Sequence, residues 1–332
     1  KRALAASVRP PRNGGRRKEE EVKQIEHVAI VGMGALGILY GHLITQALGP
    51  GVLQFVGDAA RKRRYEQEGV FCNGSRCAFE MALPGEARRP DLLIFATKGG
   101  GLAQAIESVK PLVGPETIVI SLLNGITSEE QIEAELGGGI VLHAVAQGMD
   151  ATKTGGRLAF SHPGVLCIGT PEKQGVKAQA LDALCSFLER AAVPFERDPD
   201  ILRRLWAKWM LNVGVNQACL VEQGGYGIVQ KPGRARRRMQ SAMREAMQIA
   251  QASGIPVTEK DFQFYVDLID TLDPEGMPSM RQDGLAGRPT EVELFAGTAV
   301  RKGHALGIPV PENESLYQEI LTLEKKRGNR PL

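Results

Sequence analysis

Short apolar runs alternate with longer periodic ones as far as residue 200, and beyond it only the longer kind remains. HVAIV (27–31), VLQFV (52–56), DLLIFATK (91–98) and TIVISLLNGI (117–126) are short and rich in branched residues, and they predict strands of one parallel sheet. ILYGHLITQAL and residues 102–113 have the spacing of crossover helices. In GVFCNGSRCAF, Asn73-Gly74 divides two short alternating runs and predicts a hairpin. Residues 140–150, 157–161 and 165–169 continue the strand character as antiparallel additions at the sheet edge. A helix over 175–191 and a last strand over 193–198 follow. Pro199 and Asp200 mark a linker, and helices are predicted over 201–221, 234–253, 259–272, 291–306 and 313–326. The pattern divides the chain into an α/β domain (25–198), an all-helical domain (199–332) and a tail (1–24).

The tail has no apolar period and holds Pro10, Pro11, Gly14 and Gly15, so disorder is expected there. Its arginine-bearing, acid-poor opening has only a faint transit-peptide cast. Of the formal charge of +3, eight basic and three acidic residues fall within residues 1–24, which leaves the remainder near neutral. A nucleic-acid-binding surface on the folded body is therefore not expected. No apolar run is long enough for a membrane span. Five cysteines without a CxxC pair fit a reducing compartment, with a cytoplasmic location and neither a zinc site nor a disulfide framework expected. The five scattered histidines stand at no metal or triad spacing, and a structural role is the plain reading of each.

Three places carry candidate chemistry. The first strand runs into Gly32-Met33-Gly34-Ala35-Leu36-Gly37 and then a helix. In that setting GxGxxG makes a tight turn, a close approach to a pyrophosphate and close helix packing, so dinucleotide binding is expected. After the second strand stands Asp58, an acid that suits ribose hydroxyls. It is followed by Arg61 and three further basic residues that suit a 2′-phosphate, and the two signals oppose each other. Lys98 and Asn124 fall at carboxyl ends of strands, where open α/β sheets bind ligands, although each is also an ordinary loop residue.

The second place is LWAKWMLNVGVNQACL (205–220). Lys208, Asn212 and Asn216, spaced by four, share one stripe of an otherwise apolar helix. A lysine there is costly to bury unless it is used, and the plain alternative is a snorkelling lysine on a wet face. The third is PSMRQDGLAGRPTEVELFAG (278–297), predicted as a polar loop leading into a helix. Ser279, Gln282, Asp283, Arg288, Thr290 and Glu291 stand in it. Thr290 suits an N-cap and Glu291 a helix first turn.

Taken together, GMGALG (32–37), ATK (96–98), LLNGI (122–126), the lysine–asparagine helix, SMRQD…GRPTE (279–291) and GIPVPEN (307–313) resemble the ketopantoate reductase (2-dehydropantoate 2-reductase) family over about residues 27–325. The resemblance implies an α/β Rossmann-type domain, an all-α domain like the C-terminal domain of 6-phosphogluconate dehydrogenase, and a cleft between them. It implies NADP(H)-dependent reduction of a 2-keto acid, ketopantoate to pantoate in pantothenate and coenzyme A biosynthesis, by a monomer or homodimer. By the same resemblance Lys208 is the general acid and Glu291 positions substrate and interacts with that lysine. Asn124, Asn212, Asn216 and Ser279 contact substrate, and Lys98 lies on the cofactor side of the cleft. Gly32, Met33, Gly34, Ala35, Leu36, Gly37, Asp58, Arg61, Lys98 and Asn124 are the expected cofactor contacts. Three positions depart from the family pattern. Asp58 replaces an arginine that grips the 2′-phosphate, which keeps NAD(H) open. Gly99, Gly100 and Gly101 follow Lys98 where some members place a polar side chain. The acid two positions past Glu291 is Glu293, kept only in type. A sister reductase for another 2-keto acid and a non-catalytic dinucleotide sensor are the alternative readings.

Overall fold

The computed structural model describes residues 24–327, so the expected tail lies outside the described residues except for Gln24. Eleven of its twelve strands and five helices precede Val193. In chain order they are β1 (Val28–Val31), α1 (Ala35–Leu48), β2 (Leu53–Val56), α2 (Ala59–Glu68), β3 (Phe71–Cys72), β4 (Ser75–Arg76), β5 (Glu80–Ala82) and β6 (Leu92–Phe95). There follow α3 (Leu102–Val109), β7 (Ile118–Ser121), α4 (Ser128–Leu136), β8 (Ile140–Gln147), β9 (Thr152–Thr154), β10 (Arg157–Ala159), β11 (Val165–Gly169) and α5 (Val176–Arg190). After β12 (Phe195–Arg197) the described chain is helical: α6 (Ile201–Val221), α7 (Gly227–Gln230), α8 (Arg234–Ala252), α9 (Glu259–Thr271), α10 (Ser279–Leu285), α11 (Thr298–Leu306) and α12 (Pro311–Arg327).

The main sheet has eight strands in the order β12-β11-β8-β7-β6-β1-β2-β5. Only the β8–β11 pair is antiparallel; of the three expected antiparallel edge additions, β11 runs so, whereas β8 pairs parallel with β7 and β10 belongs to a second sheet. The central strands β1, β2, β6 and β7 are buried at every position, which is why they read as unbroken apolar runs rather than alternating ones. Apolar cores lie on both faces, one on Ile30, Phe55, Ile94 and Phe187, the other on Leu93, Phe95, Ile106 and Ile132. The expected hairpin forms with Asn73 (φ 47°) and Gly74 (φ 83°) at its tip, and β3 and β4 join β10 and β9 in a second, four-stranded sheet.

Some boundaries differ from expectation. The fourth strand stops at Ser121, and Asn124 sits in the turn beyond it. The short helix α4, the edge strands β5 and β9, and α7 carry too few apolar positions to announce themselves. Part of the expected polar loop at 278–297 is helical, as α10. Thr290 does not cap a helix. Its hydroxyl and its backbone N–H both donate to Glu324 of α12.

α6 is the axis of the helical half, packed against α8, α9, α10 and α12. Trp209 donates its indole N–H to the Leu294 carbonyl at 2.9 Å, and the Gln217 carboxamide oxygen accepts from Ala296 N at 3.0 Å. These bonds pin a wide π-type turn (Glu293–Gly297) beside α6, and with it the preceding Glu291.

Candidate active site

A cleft of about 1360 Å³ runs from the glycine turn after β1 to α6, α9 and α10. Gly32 has φ 107°, and a Cβ there would lie 2.5 Å from the Ala96 carbonyl oxygen, so only glycine makes this turn. Gly32, Met33, Gly34, Ala35 and Leu36 line the cleft. Gly37 does not. It faces back onto the turn, where a Cβ would meet the Gly32 carbonyl oxygen at 2.0 Å, so its part is to let α1 pack closely. The first N–H groups of α1 and the unshielded Gly34 backbone therefore form an open cradle suited to a dinucleotide pyrophosphate.

Asp58 and Arg61 also line the cleft. The Asp58 carboxylate caps α2, accepting from Arg61 N at 2.8 Å, and the Arg61 Nε lies 3.6 Å from it. Two more residues of the basic run have other partners. Lys62 pairs with Glu86, and Arg64 lies over the Tyr65 ring. Gly99, where the chain departs from the family pattern, sits against Leu294: a Cβ would lie 2.8 Å from its side chain. A larger residue there would push on the π-type turn that holds Glu291.

At the α6 end, the Lys208 ammonium donates to the Ala146 carbonyl of β8 at 2.7 Å and to Asn124 Oδ1 at 3.3 Å. Burial lowers its pKa to about 8, against the opposing effect of the nearby Glu291 charge. Asn124 in turn donates its amide to Glu291 at 3.0 Å. The expected interaction between Lys208 and Glu291 runs through this bridge rather than through a direct contact. Among the described residues, the ammonium that reaches Glu291 is Lys98, at 3.8 Å. Lys98 pairs more closely with Asp283 of α10, at 2.7 Å, and Arg288 bonds the other oxygen of that buried carboxylate at 2.8 Å.

The lysine stripe forms as spaced. Asn216 donates to Asn212 at 3.1 Å, and its own oxygen accepts from Met280 N at 3.1 Å and from the Ser279 hydroxyl at 3.4 Å. Asn216 thus braces the start of α10 and presents Ser279, while Asn212 keeps an amide free of partners among these contacts. Lys98, Asn124, Lys208, Asn212, Asn216, Ser279 and Glu291 all border the one cleft that Gly32–Leu36 open. Sequence reasoning gave no role to Asp283, to the Ala146 carbonyl, or to Thr97, whose buried hydroxyl has no hydrogen-bond partner among the described residues and borders the cleft. Glu293 belongs to a separate network with Arg301 and Tyr317. Cys72, Cys77, Cys167, Cys185 and Cys219 are free thiols, and no helix among the described residues is long and apolar enough to cross a membrane.

Two family models match the chain: ketopantoate reductase PanE/ApbA over residues 28–173 and ketopantoate reductase PanE/ApbA C terminal over residues 200–324. The 2-dehydropantoate 2-reductase of Vibrio cholerae is 29% identical over 239 residues, 71% of this chain and 78% of that protein. A PanE/ApbA family ketopantoate reductase from Ralstonia eutropha superposes with a TM-score of 0.79 at 25% identity, covering 90% of this chain and 99% of that one. A D-mandelate dehydrogenase solved with NADH shares the fold, with a TM-score of 0.79 at 21% identity and the same coverage.

Proposed function

The chain belongs to the ketopantoate reductase family, and from that premise we propose that it reduces 2-dehydropantoate to pantoate at the expense of a reduced nicotinamide dinucleotide. One observation carries the reading: a lysine with its pKa brought down to about 8 borders the same cleft as a dinucleotide turn. The two halves, taken as residues 25–198 and 199–332, each supply part of that cleft.

A bound reduced nicotinamide supplies the hydride. Gly32–Leu36 would hold its pyrophosphate, and Asp58 and Arg61 would meet its adenosine ribose. Charge then develops on the substrate carbonyl oxygen, and the Lys208 ammonium delivers a proton to it. A positioned acid of this kind contributes ~10²–10⁴ in rate. Asn124 and the Ala146 carbonyl fix the ammonium, and Glu291 keeps it charged by opposing the effect of burial. Asn212 and Ser279 bond the keto acid without adding charge, while Asn216 holds Ser279 in place. Lys98, anchored by Asp283 and Glu291, offers a cation to the substrate carboxylate or the cofactor.

We further propose that NADP(H) is the favoured cofactor, by family likeness and through Arg61, with NAD(H) kept open by Asp58. The test is loss of reduced-nicotinamide absorbance with ketopantoate, run separately with NADPH and NADH. Turnover with either supports the reading. No oxidation with either, by protein that binds both, ends it.

A further inference from the structure

α6 is bonded to the sheet at two points, one helical turn apart. At one, the Lys208 ammonium donates to the Ala146 carbonyl of β8 at 2.7 Å. At the other, four residues earlier on the same stripe, the Arg204 guanidinium bonds two carboxylates. Its Nε donates to Asp198, and its Nη2 donates to Glu196 of β12 at 2.8 Å. Asp198 is buried, and its other oxygen accepts from Asp200 N at 2.7 Å, so the carboxylate that holds Arg204 is itself held by the turn into α6. The two anchors belong to one ladder. Glu196 pairs with Cys167 of β11, and Cys167 pairs with Val145 of β8, next to Ala146. Gly169 lets the first turn of α6 lie close on β11: a Cβ there would be 2.7 Å from the Ile201 Cβ and closer still to the Asp198 carbonyl oxygen. The adjacent Arg203 serves the helical half, forking onto Asp261 of α9 at 2.8 and 3.2 Å. Two consecutive arginines thus tie one turn of α6 to both halves of the molecule.

Arg204 borders the cleft, as Lys208, Asn212 and Asn216 do. Two carboxylates already claim its guanidinium, which makes it a poor ligand for a substrate acid. Cys167 of β11 and Tyr265 of α9 also stand near it. The charges that act on Lys208 are those of Glu291 and Cys167, and neither Glu196 nor Asp198 is among them. What the clamp fixes is place. Apolar packing tolerates small rolls and slides of a helix, and a planar fork on two carboxylates does not. A displacement of about 1 Å at a catalytic group costs up to ~10²-fold in rate. Resting on the reading above, in which Lys208 is the acid, we propose that Arg204 is a positioning residue: its bonds to Glu196 and Asp198 set α6 on the sheet so that the Lys208 ammonium is held at the Ala146 carbonyl, within reach of the substrate.

The test uses Arg204→Lys, which keeps the charge and loses the fork. The readouts are kcat and KM for ketopantoate, the alkaline limb of the pH–kcat profile, NADPH affinity by fluorescence, and thermal melts. The expected result is a kcat about tenfold lower, with KM for ketopantoate and the dissociation constant of NADPH changed less than about threefold. The alkaline limb is expected to move to lower pH, because an ammonium drawn off its carbonyl is less favoured. A pair of changes at Glu196 separates placement from charge. Its side chain is half exposed, so both variants are expected to fold even where Arg204→Lys does not. Glu196→Ala removes one anchor and is expected to lose about threefold in kcat, with the limb moved in the same direction. Glu196→Gln keeps an acceptor for the guanidinium without the charge and is expected to behave like the native chain. Arg236→Lys removes a comparable fork, onto Asp270 of α9, and is expected to lose stability alone. Native kcat with an unmoved limb in Arg204→Lys would overturn the inference whatever the melting temperature, as would the same result in Glu196→Ala. An equal loss in Glu196→Gln and Glu196→Ala would overturn it too, because charge rather than placement would then be at work. A matching loss of kcat in Arg236→Lys would overturn it by showing that any weakened helix does the same. No oxidation of NADPH or NADH by the native chain, when it binds both, would overturn the parent reading and this one with it.

Discussion

Lys208 and Glu291 are joined through a single carboxamide: Asn124 accepts from the ammonium at 3.3 Å and donates to the carboxylate at 3.0 Å. The carboxylate therefore tunes the acid from one residue away and does not hold its proton. Replacing Lys208 with methionine keeps the apolar stem in place and removes the proton source. The expected loss in kcat is ~10²–10⁴, with the dissociation constant of NADPH, read from its fluorescence, changed less than about threefold. Near-native kcat in that variant would remove Lys208 from the chemistry.

The same arrangement sets a pH dependence. Only the charged lysine is an acid, so kcat is expected to fall as pH rises through about 8. Glu291 raises the lysine pKa against the stronger effect of burial, so Glu291→Gln is expected to move that alkaline limb to lower pH. The sign for stability is the reverse of the sign for rate. The folded pKa lies below the ordinary 10.5, so the fold disfavours the charged form, and this group's contribution to stability grows between about pH 8 and 10.5. A pH–rate profile whose alkaline limb stays put in Glu291→Gln would show that the charge of Glu291 does not reach the acid.

Asp58 has two separable tasks. Its carboxylate caps α2 and also faces the cleft where the adenosine ribose is expected. Asp58→Asn keeps an oxygen for Arg61 N and removes the charge, so the melting temperature is expected to hold while the NADPH-to-NADH ratio of kcat/KM rises. Asp58→Ala is expected to shift the ratio similarly and to cost about 0.5–2 kcal/mol of stability through the lost cap. Arg61→Ala is expected to move the ratio the other way. Steady-state rates with the two cofactors, beside thermal melts, separate these effects.

How much of this was legible in the chain depends on range. The lysine–asparagine stripe was readable because its spacing is local to one helix, and the glycine turn because strand, turn and helix adjoin. The link from Lys98 to Asp283 spans 185 residues, and nothing local to either announces it. The Ala146 contact is made by a backbone carbonyl, which has no residue signature. The asparagine bridge was missed because only ligand contacts, to substrate or cofactor, and an ordinary loop role were weighed for Asn124. The short helix α10 was taken as loop because Gly284 and a run of polar residues mask its period.

The glycine turn makes a sharper claim, because two of its glycines are expected to fail differently. A Cβ at Gly37 would lie 2.0 Å from the Gly32 carbonyl oxygen, so α1 must move off the strand to admit it. Backbone cannot swing aside as a long side chain can, and overpacking of this kind costs about 1–3 kcal/mol or more. A Cβ at Gly34 would meet the Ala96 carbonyl oxygen at 3.4 Å, an ordinary contact, with φ at −70°. Gly34→Ala is therefore expected to fold and melt like the native chain while binding NADPH and NADH at least tenfold more weakly, because the methyl stands where a pyrophosphate must approach. Gly37→Ala is expected to lose stability and affinity together. Thermal melts paired with cofactor titrations decide it: equal melting temperatures for the two variants would remove the packing role of Gly37, and native affinity in Gly34→Ala would place the dinucleotide elsewhere than on this turn.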